Sequence, residues 1–153
     1  MNPQAAGELV HQWASAHDDP KSVAQQRGPV SRAIRELAPD NTLVGVGHTA
    51  SGPVMLVLLD DAMLVFAARP LAALQEGSVP VRAKLLRLDA SADLEVTERW
   101  DDTTRVHLWS LRSDGMDIRI DGAEIVDQDV EAGHDPNEAL GRAIAVKLGW
   151  PLP

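Results

Sequence analysis

The residues that could do chemistry are few and widely spread. The chain has five histidines, His11, His17, His48, His107 and His134. None belongs to a His-Glu-x-x-His motif, and no two stand three or four apart, so no helix face presents a metal-binding pair. A metal site would have to be assembled from distant segments; surface or half-buried imidazole is the simpler reading. The absence of cysteine removes thiol nucleophiles, Cys-ligated zinc and disulfides. Gly45-x-Gly47 with Gly52 lacks both the third glycine of a dinucleotide loop and the Gly-Lys-Ser/Thr ending of a P-loop. It lies in strand-like sequence, where close packing or a bulge explains it better. Ser51 sits in His48-Thr49-Ala50-Ser51-Gly52, which is turn chemistry and not a nucleophile elbow. Asp127-Gln128-Asp129-Val130-Glu131 alternates acids like part of a calcium loop, without its glycine or closing glutamate. Asp18-Asp19, Asp60-Asp61 and Asp101-Asp102 are adjacent pairs at turns. Neighbours on extended backbone point apart, so they form no ready acid/base couple. The sequence therefore nominates no catalytic residue, no metal ligand and no cofactor.

Charge and tryptophan remain. The formal net charge is -9, and residues 90–153 hold fourteen acids against six bases, leaving -8 there. Between Asp114 and Glu138 nine acids face Arg119 alone. This is a solubilising surface or a docking face for a basic protein partner. We take the docking reading, with Asp114, Asp117, Asp121, Glu124, Asp127, Asp129 and Glu131 as its acids. Trp100 and Arg105, facing across a hairpin end, are its contact anchors. The acidity argues against nucleic acid as a partner. No apolar window reaches membrane-spanning length, and the N-terminus does not read as a signal peptide, so the expected location is cytoplasmic. A homo-oligomer is compatible with all of this.

These residues need elements to hold them. The 44% apolar content can build a core at 153 residues, and we read one domain, 1–153. Residues 1–40 are helical: Asn2-Pro3 starts a helix carrying Leu9, Val10, Trp13 and Ala14, and Asp18-Asp19-Pro20 interrupts it. Segment 21–28 is a weak helix or a loop. A second helix runs from about Pro29 to Leu37 with Val30, Ala33, Ile34 and Leu37 on one stripe, and Pro39 stops it.

Residues 41–134 read as an antiparallel β meander. Thr42–Thr49 leads into a turn at Ala50–Pro53. Val54–Leu59 and Ala62–Ala67 flank Asp60-Asp61, whose tolerance of positive φ suits a tight hairpin. Residues 70–78 are a loop, with a helical turn at Leu71–Leu74 as an option. Val79–Leu88 alternates and then slips phase, which fits a bulged strand or a short helix. Leu94–Trp100 and Arg105–Leu111 form a hairpin about Asp101–Thr104. Pairing Trp100 with Arg105 sets Glu98 opposite His107 and Val96 opposite Trp109; a one-residue slip would bring Val106 and Leu108 inward instead. Ser113-Asp114-Gly115 turns the chain, Asp117–Ile120 follows, and Asp121-Gly122 predicts a type I′ turn into a short strand or tail at 123–126.

Residues 135–150 are the C-terminal helix. Asp135 caps it, Pro136 opens it and Glu138 completes a capping pattern. Leu140, Ala143, Ile144 and Leu148 form its apolar stripe, Lys147 suits its last turn, and Gly149 and Pro151 end it.

About seven antiparallel strands followed by one amphipathic helix resemble the pleckstrin-homology-like domains. The segment IRELAPDNTLVGVGHTASGPVMLVLLDDAMLVFAA resembles the opening of bacterial members, and the likeness covers roughly residues 34–148. The chain departs from them in having Asp61 and Ala62 where a basic residue often follows the hairpin Asp, and in its acidic stretch 121–134. The resemblance implies an α+β fold, a barrel-like sheet capped by the C-terminal helix, and a binding scaffold in place of an enzyme. Lipid-binding members place Lys and Arg between the first two strands; here Ala50-Ser51-Gly52-Pro53 carries neither, which argues against phosphoinositide binding. Small acidic secretion chaperones are similar in size and acidity but carry a central helix. The expected function is thus a non-enzymatic protein-interaction module with an acidic docking surface. A chaperone or immunity-type protein that masks a partner is the first alternative. A small metal-dependent hydrolase using His48, His107 and an Asp is the second.

Overall fold

The computed structural model describes residues 1–18, 23, 26–40, 42–68, 80–125 and 135–151, with backbone alone at 124 and 125. The interruption expected at Asp18-Asp19-Pro20, half of segment 21–28, the loop 70–78 and the acids Asp127, Asp129 and Glu131 lie wholly or partly outside the described residues.

Helix α1 spans Pro3–Ser15, and Asn2 Oδ1 accepts from Gln4 N at 2.8 Å, as an N-cap does. Helix α2 spans Arg27–Leu37. Leu37, expected on its buried stripe, is 58% exposed; Ala38 is buried at the helix end instead. Seven strands follow: β1 Val44–Thr49, β2 Gly52–Leu58, β3 Ala62–Ala68, β4 Val81–Arg87, β5 Asp93–Asp101, β6 Thr104–Ser113 and β7 Met116–Ile125. Helix α3 spans Pro136–Lys147.

The strands form one antiparallel sheet in the order β4-β3-β2-β1-β7-β6-β5. It is two meanders joined where the first strand meets the last, and it stays open, with β4 and β5 as its edges. The end of the β4 edge is covered by polar groups of the β6–β7 turn. Arg87 N donates to Asp114 Oδ2 at 3.2 Å, and Ser113 Oγ donates to Arg87 O at 2.8 Å. A side chain and a hydroxyl thereby satisfy backbone groups that a further strand would have taken.

Alternation sorts the apolar residues onto two faces. Leu56, Met63, Val65, Leu86, Trp109, Leu111, Ile118 and Ile120 pack with Leu140 and Ile144 of α3. Val46, Met55, Val57 and Phe66 pack with Leu9, Val10, Trp13, Val30 and Ile34 of α1 and α2. The continuous apolar run in β2 reflects burial on both faces.

Several expectations need correction. The first turn is Ala50-Ser51 alone, because Thr49 pairs with Gly52 and β2 begins there, with Gly52 at φ +119. Asp60 and Asp61 turn the chain without positive φ, which among the described non-glycine residues belongs to Asp102 and Asp114. Val81–Arg87 is a strand in unbroken register with β3, without a bulge; Leu86 faces the core and Leu85 is 52% exposed. The tight turn with positive φ at both positions is Asp114-Gly115, not Asp121-Gly122. Strand β7 runs straight through Gly122, which pairs with His107.

Candidate functional site

The first meeting point of the two meanders is thin. Among the described residues β1 and β7 share one paired position, His48 with Arg119. Beyond it the strands part, and the start of α3 fills the gap. Asn137 Oδ1 accepts from Val46 N at 2.9 Å and its Nδ2 donates to Asp121 O at 3.1 Å. Asp135 uses both oxygens: Oδ1 accepts from Glu138 N at 2.7 Å, the expected N-cap, and Oδ2 accepts from Ala123 N at 2.9 Å. Asp135 N donates in turn to Ala123 O at 3.2 Å. Glycine permits the approach. A Cβ at Gly122 would stand 2.7 Å from Glu138 Cα, and one at Gly45 would stand 2.8 Å from Leu140 Cδ2. Both glycines that resembled ligand or turn signals are contact points for this helix.

Glu138 then enters the interior. It is fully buried, and its carboxylate has three nitrogen partners. Arg142 Nε donates to Oε1 at 2.8 Å, His107 Nδ1 lies 2.7 Å from the same oxygen, and Trp109 Nε1 donates to Oε2 at 3.3 Å. A buried carboxylate is tolerated only with such company. The other imidazole nitrogen, His107 Nε2, is 3.6 Å from Glu98 Oε1, and Arg105 Nε is 3.4 Å from that oxygen. Arg105 lies 5.7 Å over the centre of the Trp100 ring, and Trp100 is 53% exposed. A continuous chain of interactions therefore runs from the solvent at the β5–β6 hairpin, through Trp100, Arg105, Glu98 and His107, to Glu138 and Arg142 on α3.

The register that positions this chain is the one the pattern predicts: Trp100 with Arg105, Glu98 with His107, and Val96 with Trp109. A two-residue loop with Asp102 at φ +56 closes the hairpin. The sequence pattern missed Glu138 and Arg142 as members. The capping pattern marks Glu138 as a helix-start residue, yet its backbone satisfies the cap while its side chain turns inward.

Chemically, the cluster orients and anchors. Both nitrogens of His107 face carboxylates, and among the described residues no hydroxyl contacts the ring. The acids expected to share a surface with Trp100 are distributed otherwise. Asp117 and Asp121 lie on the outer face of β7, opposite the side carrying Ile118 and Ile120. Each is exposed and ion-paired, Asp117 with Arg112 at 3.3 Å and Asp121 with Arg119 at 3.3 Å. Asp114 sits in the β6–β7 turn, bound to β4. Glu124 lies on β7 with its side chain undescribed. His48 and His107, paired in the hydrolase reading, project from opposite faces of the sheet: His48 shares the side of Val46 and α1, His107 that of Trp109 and α3.

Comparisons with protein-family models, with curated proteins and with solved structures find no match to this chain.

Proposed function

We propose that this protein is a non-enzymatic protein-interaction module, built on a pleckstrin-homology-like scaffold, that docks a basic protein partner through the β5–β6 hairpin. The observation that carries the reading is Trp100: a large aromatic, more than half exposed, at a hairpin end and held under the Arg105 guanidinium. Tryptophan and arginine are the residue types that most often dominate binding energy at interfaces. The ion pair of Arg105 with Glu98, and Glu98 with buried His107, braces the anchor from behind, so little freedom is lost on contact.

Charge supports the reading. Glu98, Asp101 and Asp102 stand within two residues of Trp100 on the hairpin, and the chain's net charge of -9 sets a negative overall field. Such a field steers a basic partner and makes encounter salt-dependent. The scaffold reading rests on seven antiparallel strands followed by a helix that packs on their inner face.

The test is affinity capture with wild type and with Trp100→Ala and Arg105→Ala variants, at low and high salt, read by mass spectrometry. We expect a protein retained by wild type at low salt, weakened by high salt, and lost from Trp100→Ala. Identical protein sets on wild type and both variants would overturn the reading.

A further inference from the structure

The open sheet ends in two edges that its own topology keeps from pairing with each other. Every neighbouring pair of strands is antiparallel, so with seven strands β4 and β5 run in the same sense across the sheet. Closing the sheet on itself would need a parallel pair. A parallel pair takes a crossover of about a dozen residues or more, and only residues 88–92 join β4 to β5. Both edges therefore stay available to another chain.

Alternation fixes which backbone groups each edge offers. Arg87 N–H and C=O bond Asp114 and Ser113 and not β3, so those of Val81, Ala83 and Leu85 point the same way. On β5 the two-residue loop makes Asp101 and Thr104 a hydrogen-bonded pair, so the groups of Leu94, Val96, Glu98 and Trp100 point away from β6. Among the described residues neither row has a further backbone partner. The two edges are opposite in charge. β4 carries Arg82, Lys84 and Arg87 and no acid; β5 carries Asp93, Glu95, Glu98 and Asp101 against Arg99. Like edges would set bases on bases or acids on acids, whereas β4 against β5 is complementary. β4 also leaves Leu85 52% exposed.

We propose that this chain self-associates by strand addition, β4 of one copy pairing antiparallel with β5 of a second copy turned over relative to it. Each edge is then covered by the other edge of an identical chain, selected by charge. A register with Lys84 opposite Glu95 sets Arg82 opposite Thr97, Ala83 opposite Val96 and Leu85 opposite Leu94, with no like charges opposed. Arg87, already bonded to Ser113 and Asp114, lies beyond the new ladder. The contact is heterologous, so copies add head to tail. It is independent of the partner proposed above, because it uses strand backbone and not the Trp100–Arg105 tip.

Sedimentation velocity of the purified full chain over a concentration series, at low and high salt, tests this. Expected is a mass that rises above that of the monomer with concentration at low salt and falls back toward it at high salt. Arg82→Glu with Lys84→Glu opposes acids to Glu95; Glu95→Lys with Thr97→Lys opposes bases to Lys84 and Arg82. All four side chains are exposed, and circular dichroism checks that each double variant folds. Each alone should associate at least about tenfold more weakly than wild type, and an equimolar mixture should associate like wild type, since each supplies the edge the other lacks. Both variants keep a net negative charge, so bulk attraction does not account for that rescue. Ala83→Pro removes one outward N–H and should weaken association with charge untouched. A monomer at every concentration to about 1 mM in low salt would overturn the proposal and leave the β5 edge to a basic strand of another protein. Association unchanged in both double variants, or a mixture no better than its components, would overturn it too.

Discussion

On one face of the sheet, α1 and α2 are held by apolar contact. Trp13, Leu9, Val30 and Ile34 are buried against Met55, Val57 and Phe66, and the polar bond from Trp13 to Pro53 is an addition to a large apolar seam. On the other face, α3 also buries Leu140 and Ile144, but its first turn is wired to backbone and charge. Asp135, Asn137 and Glu138 reach Ala123, Val46, Asp121, His107 and Trp109. Apolar seams tolerate rearrangement if volume is kept, whereas a buried polar network demands each partner. The first face sets how much surface is covered; the second sets where the helix must sit.

The comparison can be broken from either side. Glu138→Ala leaves His107 and Arg142 facing each other without their shared carboxylate. It should cost about 3–5 kcal/mol in urea unfolding and speed amide exchange at Val46 and Ala123. Trp13→Ala should cost a similar amount, about 3–5 kcal/mol, through a large cavity. Amide exchange at Val46 and Ala123 should then change only in proportion to global stability; a selective loss of protection there would erase the distinction between the faces. Asn137→Ala removes the side-chain acceptor of Val46 N and the side-chain donor to Asp121 O and should cost about 1–3 kcal/mol, again with selective exchange at Val46. Asp135→Ala, a lost cap with one further bond to Ala123, should cost about 1–2 kcal/mol, measured the same way. Leu37→Ala, on the exposed side of α2, should lie within about 0.5 kcal/mol.

Local signals carried much of this architecture. Asn2, Asp135 and Pro136 mark helix starts by chemistry confined to one turn, and both caps stand where expected. The β5–β6 register was legible because alternation puts Val96 and Trp109 on one face only in that pairing. Gly122 was misread because Asp-Gly signals a turn locally, while this glycine answers to Glu138, a residue well beyond it in the chain. Leu37 was misread because helical spacing extends the stripe of Val30 and Ile34 to the last residue of α2, where Leu37 is exposed and Ala38 is buried instead. In the site, Trp100 and Arg105 could be paired from the strand pattern. Glu138 and Arg142 could not, since no periodicity tells a solvent-facing acid from one turned inward.

The seam between β1 and β7 has a consequence for the order in which the protein can be completed. α3 is synthesised after all seven strands, yet it supplies the groups that finish the sheet where its first and last strands diverge. A nascent chain with α3 still inside the ribosome would hold every strand and still leave Val46 and Ala123 N–H groups open at that junction. Such open strand backbone invites pairing with another chain. Asp135 and Asn137 therefore act as a timed closure: their side chains take the Ala123 and Val46 N–H groups only after all seven strands have been made.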